Sequence, residues 1–180
     1  MISLRSRITQ SVLGYFMLHE SAELYVNEMA RRFSLDNGNL TRQLKQLEEE
    51  GILKSRSKGK ERYYSLNSSF PPFKEYKRLV LKTVGFEHTL KEALREVSGI
   101  EKAVLFGSYA ADKMNVSSDL DLLVIGTHDT IALQRKISEL QKAVDREINV
   151  ISMSGEEYQR KRKTHPLLKS IREKKSISIL

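Results

Sequence analysis

Cysteine is absent from this sequence, so neither a disulfide nor a thiolate zinc site can form, and a reducing, cytoplasmic setting is the expectation. The four histidines, His19, His88, His128 and His165, lie far apart without ligand spacing, which argues against a histidine metal site. No apolar run reaches membrane-spanning length, so no membrane partner is expected. Residues 12–18, behind Arg5 and Arg7, have the outline of a weak signal-peptide core. Gly14, Tyr15 and the helical pattern continuing to Leu24 favour a first helix instead. There is no internal repeat and no low-complexity tract. Proline occurs three times, and two of the three stand together at Pro71-Pro72.

What is present is a basic chain of 180 residues with a formal net charge of +8. That length accommodates two small domains, each with a modest core. The excess of Lys and Arg favours a polyanionic partner, because clustered cations release counterions from nucleic acid. The main break is Asn67-Ser68-Ser69-Phe70-Pro71-Pro72, where paired prolines force extended geometry. The expected division is residues 1–70, a connecting helix over 71–98, and residues 99–180.

Before the break, apolar residues recur at helical spacing three times. They predict helices over residues 6–19 (Ile8, Val12, Phe16, Leu18) and 25–33 (Val26, Met29, Ala30, Phe33), then a third carrying Leu40, Leu44 and Leu47. Asn37-Gly38-Asn39 reads as a turn with an N-cap, and Gly51 as a left-handed C-cap. Strand-prone residues 52–56 and 62–66 flank the basic turn Ser57-Lys58-Gly59-Lys60 and predict a hairpin. Three helices and a basic hairpin outline a winged helix-turn-helix. The wording Leu40-Thr41-Arg42-Gln43-Leu44, Gly51-Ile52-Leu53 and Arg62-Tyr63-Tyr64-Ser65-Leu66-Asn67 resembles the ArsR/MarR-type transcription regulators over residues 5–67.

That resemblance implies double-stranded DNA as a partner and a homodimer as the assembly. Asn39, Thr41, Arg42 and Lys45 would then face base edges in the major groove. Lys54, Arg56, Lys58, Lys60 and Arg62 would follow the phosphate backbone. The alternative is a protein-docking module whose charges are a solvated face. Five cations within nine positions favour nucleic acid. Residues 73–97 read as one long helix with a candidate dimer seam, Leu79, Phe86 and Ala93 on one seven-residue spacing and Leu90 and Val97 on another. Gly85 weakens that helix locally.

From Glu101 the pattern changes to alternating strands and helices, the mark of an α/β sheet. Strands are expected over residues 102–106, 117–126, 147–151 and 176–180. A helix carries Ile131, Leu133, Ile137, Leu140 and Val144, and others cover residues 154–163 and 166–173. Asp119-Leu120-Asp121 is the informative feature, because alternate strand residues point the same way, about 6–7 Å apart. Two like charges at that distance repel by roughly 2–3 kcal/mol at an effective dielectric of 20. A divalent cation removes the cost, and the geometry suits two-metal phosphoryl transfer. Taken alone, a solvated strand end explains the pair equally well, and Gly107-Ser108 alone is more readily an ordinary turn. Gly107-Ser108 lies where a strand enters a short helix, so its backbone N–H groups can face phosphate.

Together, Gly107-Ser108 and Ser118-Asp119-Leu120-Asp121, followed by Leu122-Leu123-Val124, resemble the minimal nucleotidyltransferases of the DNA polymerase beta superfamily over residues 98–180. The resemblance implies that Asp119 and Asp121 bind Mg²⁺, with a two-metal site in prospect. It implies that Gly107 and Ser108, joined by Ser118, hold a nucleoside triphosphate, ATP first among candidates. Two departures stand out. Ala111 and Asp112 occupy positions where the family often has Arg-Gly, and Asn149 aligns with the third carboxylate. An amide can ligate a metal but cannot act as a base, and Glu147 on the same face is the candidate substitute. The basic run Arg160-Lys161-Arg162-Lys163 reads first as a solvated helix face, and second as a triphosphate or RNA contact.

The expected fold class is therefore two domains: a mainly α winged helix of three helices plus a β-wing, then an α/β mixed sheet with helices of nucleotidyltransferase type. The leading function is a DNA-binding transcription regulator that binds Mg-NTP and transfers a nucleoside monophosphate to a protein or RNA hydroxyl, or senses the nucleotide. One alternative is an antitoxin-type adenylyltransferase acting on a partner toxin. The other is a DNA-binding regulator with an inactive transferase fold. Aminoglycoside modification ranks low, since the chain lacks room for a further substrate domain.

Overall fold

The computed structural model describes residues 4–180, and the chain divides into two compact units, Met1–His88 and Thr89–Leu180. In the first, α1 (Arg7–Leu18), α2 (Val26–Phe33) and α3 (Asn37–Glu49) enclose a core of Val12, Leu13, Phe16, Met17, Met29, Leu40, Leu44 and Leu47. Leu40, Leu44 and Leu47 share one face at helical spacing, which leaves Asn39, Arg42 and Lys45 exposed on another. The start of α3 differs from the expected N-cap. Asp36, rather than Asn39, caps the helix, with its Oδ1 accepting from Asn39 N–H at 2.8 Å, so Asn37 and Gly38 belong to the first turn.

The hairpin is β2 (Leu53–Lys58) against β3 (Glu61–Leu66), antiparallel, with Lys58 opposite Glu61. Its turn is therefore only Gly59-Lys60, and Gly59 supplies the left-handed φ of +62° that a two-residue hairpin turn requires. A short strand, β1 (Leu24–Tyr25), pairs with β3 and gives the sheet order β1-β3-β2. Two residues are too few to produce an alternation, so this strand left no sequence pattern.

The single helix expected over residues 73–97 is two helices, α4 (Phe73–Thr83) and α5 (Phe86–Arg95). The chain breaks at Val84-Gly85, where Gly85 N–H reaches back to Val80 O at 2.8 Å. A Cβ on Gly85 would lie 2.9 Å from Leu81 Cα, so glycine is what permits the tight end of α4. The candidate dimer seam changes with it. Phe86, Leu90 and Val97 are buried within the single chain, and Leu79 alone of the larger seam residues is well exposed.

In the second unit, β4 (Ile100–Phe106), β5 (Leu120–Gly126), β6 (Ile148–Met153) and β7 (Ile177–Ser178) form a mixed sheet of order β6-β5-β4-β7. β4 runs antiparallel to both neighbours, whereas β5 and β6 are parallel. A parallel pair needs a crossover, supplied by α7 (Thr130–Val144). Consecutive residues Leu122, Leu123, Val124 and Ile125 are all buried, as in a strand covered on both faces. On one face, Val104, Phe106, Leu123 and Ile125 pack with Leu168 and Ile171 of α9 (Pro166–Glu173) and with Tyr158 of α8 (Gly155–Lys161).

Within α7, Leu133, Ile137 and Leu140 point inward, but Ile131, expected in the core, is 79% exposed. Two residues before Leu133 is about 200° around the helix, which places Ile131 on the opposite side. Ile137→Ala should therefore destabilise the fold by about 2–5 kcal/mol, while Ile131→Ala stays within about 0.5 kcal/mol of wild type in denaturant unfolding. Equal effects of the two substitutions would contradict this orientation of α7.

Candidate functional site

Three elements meet at one end of the second sheet. Phe106, the last residue of β4, lies opposite Asp121 of β5, and Asp121 lies opposite Asn149 of β6. Asp119 stands just before β5 rather than inside it, since the strand begins at Leu120. The two aspartates are nevertheless drawn together by a common partner. Asn149 Nδ2 donates to Asp119 Oδ2 at 3.2 Å, and the same amide hydrogen-bonds Asp121. Burial pushes the Asp121 carboxyl above its ordinary value, and the charge of Asp119 adds to this, while the Asn149 hydrogen bond works the other way.

Gly107 closes the site. It has φ +70°, and a Cβ built on it would fall 2.1 Å from Asp121 Oδ2. Glycine is thus demanded twice, by the backbone and by the carboxylate packed on its Cα. The chain then enters the short α6 (Gly107–Ala110), in which Ser108 follows Gly107 and is half-buried. Ser118, also half-buried, uses its Oγ to accept from Asn115 N–H at 2.9 Å, so it shapes the loop that delivers Asp119.

Sequence reasoning missed Arg146. Its Nη1 donates to the carbonyls of Asn115 at 3.0 Å, Val116 at 2.8 Å and Ser118 at 3.0 Å. One guanidinium so gathers three carbonyls of the loop ahead of Asp119 from 28 or more residues further along the chain. An isolated arginine between a helix and a strand carries no motif that would have flagged it. Glu147 precedes β6 and its backbone carbonyl accepts from Leu120 N–H at 2.9 Å. Its side chain is exposed and lines a shallow depression with Gln141, Lys142, Asp145 and Arg146, not the cleft between the aspartates. Among the described residues, no group of three His, Cys, Asp or Glu side chains is arranged to hold a metal ion.

In the first unit, Asn39, Arg42 and Lys45 lie exposed along the first half of α3, with Arg42 donating to Asn39 Oδ1 at 3.2 Å. Thr41 is half-buried and its hydroxyl donates to Asn37 O at 2.7 Å within the helix. The wing cations fall into two groups. Arg56 is bound through two nitrogens by Glu23, and Arg62 by Glu48 at 2.8 and 3.0 Å. Those hydrogen bonds hold the Glu23 carboxyl below its ordinary value; at Glu48 burial opposes, but the bonds from Ser55 and Arg62 prevail. Lys54, Lys58 and Lys60 are exposed, and Lys58 Nζ lies 6.0 Å from the Tyr63 ring centre.

A winged helix followed by a mixed sheet, with paired aspartates facing a Gly-Ser turn, defines a DNA-binding module joined to a nucleotidyltransferase fold. The chain belongs to the nucleotidyltransferase domain family, whose match spans residues 88–179, and the MarR family matches residues 15–61. Among curated proteins, none matches the chain. Among solved structures, a toxin–antitoxin complex with AMP-PNP is 21% identical over 52% of this chain and 72% of its own, with a TM-score of 0.40. The tri-AMPylated HEPN toxin of Shewanella oneidensis in complex with MNT antitoxin is 20% identical over 52% of this chain and 68% of its own, with a TM-score of 0.36. An archaeal chromatin protein is 17% identical over 91% of this chain and 69% of its own, with a TM-score of 0.28. No helix among the described residues is long and apolar enough to cross a membrane.

The raised Asp121 carboxyl makes a stability test. A carboxyl whose folded pKa exceeds its unfolded value contributes stability at low pH and loses it as pH rises through the folded value. Asp121→Asn removes the disfavoured charge, so the metal-free variant should melt a few degrees higher than wild type at about pH 7. The difference should vanish near about pH 3, where the wild-type carboxyl is protonated as well. A Tm difference that ignores pH would contradict the assignment.

Proposed function

We propose that this chain is a DNA-binding transcription regulator whose second unit binds a magnesium–nucleoside triphosphate, ATP first among candidates, and transfers its nucleoside monophosphate to a protein or RNA hydroxyl. The observation that carries the reading is the convergence of Asp119, Asp121 and Asn149 beside Gly107. The donor set fits Mg²⁺, which characteristically takes one or two protein carboxylates and completes its shell with water and substrate phosphate oxygens. Asp119 and Asp121 would hold it, and bound there it would supply charge neutralisation and Lewis-acid polarisation of the phosphates.

The remaining roles fall to the chain itself. Gly107 allows the phosphates to approach the backbone, and the Ser108 hydroxyl supplies a donor. Ser118 and Arg146 hold the loop that aims Asp119. In the transfer, the acceptor oxygen bonds to the α-phosphorus, pyrophosphate leaves, and the hydroxyl proton passes to a base. Asn149 cannot accept that proton, and the Glu147 side chain lies outside the cleft, so solvent must. The amide supports a second reading in which the unit binds nucleotide and transfers slowly or not at all, making the chain a nucleotide-sensing regulator. An acceptor hydroxyl on a small partner protein would instead make it an antitoxin-type adenylyltransferase.

Calorimetric titration with Mg-ATP, Mg-GTP and Mg-CTP tests the site. Metal-dependent binding by the wild type that disappears in Asp119→Asn/Asp121→Asn is expected, and no binding by the wild type would sink the reading. Asn149→Asp adds the missing carboxylate: a large gain in nucleotide transfer would favour sensing as the native role, and transfer by the wild type with no further gain would favour native catalysis.

The first unit would carry this chemistry to DNA, with Asn39, Arg42 and Lys45 toward the major groove and Lys54, Lys58 and Lys60 along phosphates. Arg56 and Arg62 would orient the wing through Glu23 and Glu48 and engage phosphate only in exchange for those partners. Thr41 would contribute helix packing more than base contact. Arg42→Ala should relax sequence preference and cost about 1–3 kcal/mol of specific binding, whereas Lys58→Ala/Lys60→Ala should weaken all sequences alike and flatten the salt dependence. Equal loss on specific and random duplexes with Arg42→Ala would contradict the placement of α3.

A further inference from the structure

The second unit is electrically divided. Residues 89–159 hold eight Lys and Arg against twelve Asp and Glu, whereas residues 160–175 hold eight against a single Glu. That basic stretch is the end of α8, the turn after it and α9. Its apolar side chains, Leu167, Leu168 and Ile171, pack with Tyr158 against the sheet. The inward face is therefore filled, and Arg160, Lys163, Lys169 and Arg172 stand exposed.

Four of these cations meet at one corner. The Arg172 guanidinium donates through Nη1 to Arg162 O at 3.4 Å, bridging the end of α9 to the end of α8. Arg162 is the C-cap of α8, and Arg160 and Lys163 lie within two residues of it. The nearby acids are already engaged: Glu157 binds Lys161, and Glu173 lies 3.9 Å from Lys169. Arg160 acts on the Glu157 carboxylate through space, behind the Lys161 hydrogen bond. Among the described residues, Arg160, Arg162, Lys163 and Arg172 have no ion-pair partner. Four like charges around one contact repel each other, and a polyanion is what offsets that repulsion.

The residue types at the corner select the polyanion. Three of the four are arginines, whose planar forks match phosphate oxygens. Single strands are held by stacking on aromatic rings, and residues 159–180 contain no Phe, Tyr or Trp. A double-helical backbone needs no stacking, and duplex DNA is the partner assigned above to the first unit of the same chain. A unit tethered to a DNA reader meets duplex at high effective concentration. We propose that the corner formed by Arg160, Arg162, Lys163 and Arg172 is a second DNA contact, gripping the phosphates of duplex DNA without reading their sequence. The choice of partner rests on the DNA-binding reading of the first unit, and the aspartate cleft takes no part in it.

The test uses the full chain, a fluorescent random-sequence DNA duplex and a hairpin RNA, with anisotropy followed over a range of salt. Arg160→Gln/Lys163→Gln/Arg172→Gln should weaken duplex binding about ten- to a hundredfold near about 0.15 M salt. The slope of log affinity against log salt should become shallower by about 2–3, since each phosphate contact contributes about 0.9. Lys102→Gln/Arg135→Gln/Lys142→Gln removes the same charge from exposed positions on β4 and α7 and should stay within about threefold of wild type. Matched circular dichroism spectra and melting curves establish that the variants fold. Lys163→Gln alone, on the exposed turn, should lower the slope by about 1 and tests the corner should the triple variant not fold. Equal losses in the two triple variants would reduce the effect to net charge and overturn the proposal. Unchanged duplex binding in the corner variants overturns it while the reading of the first unit stands, as does a loss confined to the hairpin RNA. A wild type that binds no duplex overturns both readings together.

Discussion

Two carboxylates confined to one sheet end repel each other, and the second unit is organised around that repulsion. Asp121 is held by β5, with its Oδ2 packed where a side chain on Gly107 would stand. Asp119 is held by a loop whose carbonyls are gathered by Arg146. The metal-free chain answers the repulsion with the amide of Asn149, whose Nδ2 points its donor hydrogens at the acids. A neutral donor offsets part of a charge-pair energy of roughly 2–3 kcal/mol and leaves the rest in place. The raised Asp121 carboxyl is the visible residue of that imbalance.

The same devices explain what was legible in the sequence. Gly107-Ser108 and Asp119-x-Asp121 could be read because the chemistry compresses into a few adjacent positions with a demanding spacing. The helices of the first unit could be read because Leu40, Leu44 and Leu47 record one buried face. Arg146 could not, because its three acceptors are backbone carbonyls, which any residue supplies. The break at Val84-Gly85 was half-visible: glycine weakens a helix, but whether the chain bends or continues depends on Val80 and Leu81 closing behind it. Ile131 misled because hydrophobicity was counted without its angle around α7, where a two-residue offset from Leu133 reverses the face.

In the first unit, apparent charge and available charge differ for a similar reason. A count of the hairpin gives five cations, yet Arg56 and Arg62 already have carboxylate partners reached from β1's approach and from α3. Exposed ion pairs of this kind stabilise a fold by only about 0–1 kcal/mol. Their effect is geometric: Glu48 on α3 gripping Arg62 on β3 ties the wing to that helix. The lysines keep their charge free, and a flexible ammonium suits a phosphate track that varies little with sequence.

Asn149 bears on the order in which the proposed metal and nucleotide would enter the cleft. A third carboxylate would deepen the metal-free repulsion and hold a cation whether or not a nucleotide were present. With an amide in that position the protein offers two charged ligands, and in the proposed site water and phosphate oxygens would complete the shell of Mg²⁺. To offer its own oxygen, the Asn149 side chain must turn over and give up its hydrogen bond to Asp119. That exchange costs a hydrogen bond for a lone cation, whereas a bound triphosphate would bring further ligands to offset it. Metal and nucleotide would therefore load together, and occupancy of the site would follow the concentration of the nucleotide rather than that of the metal.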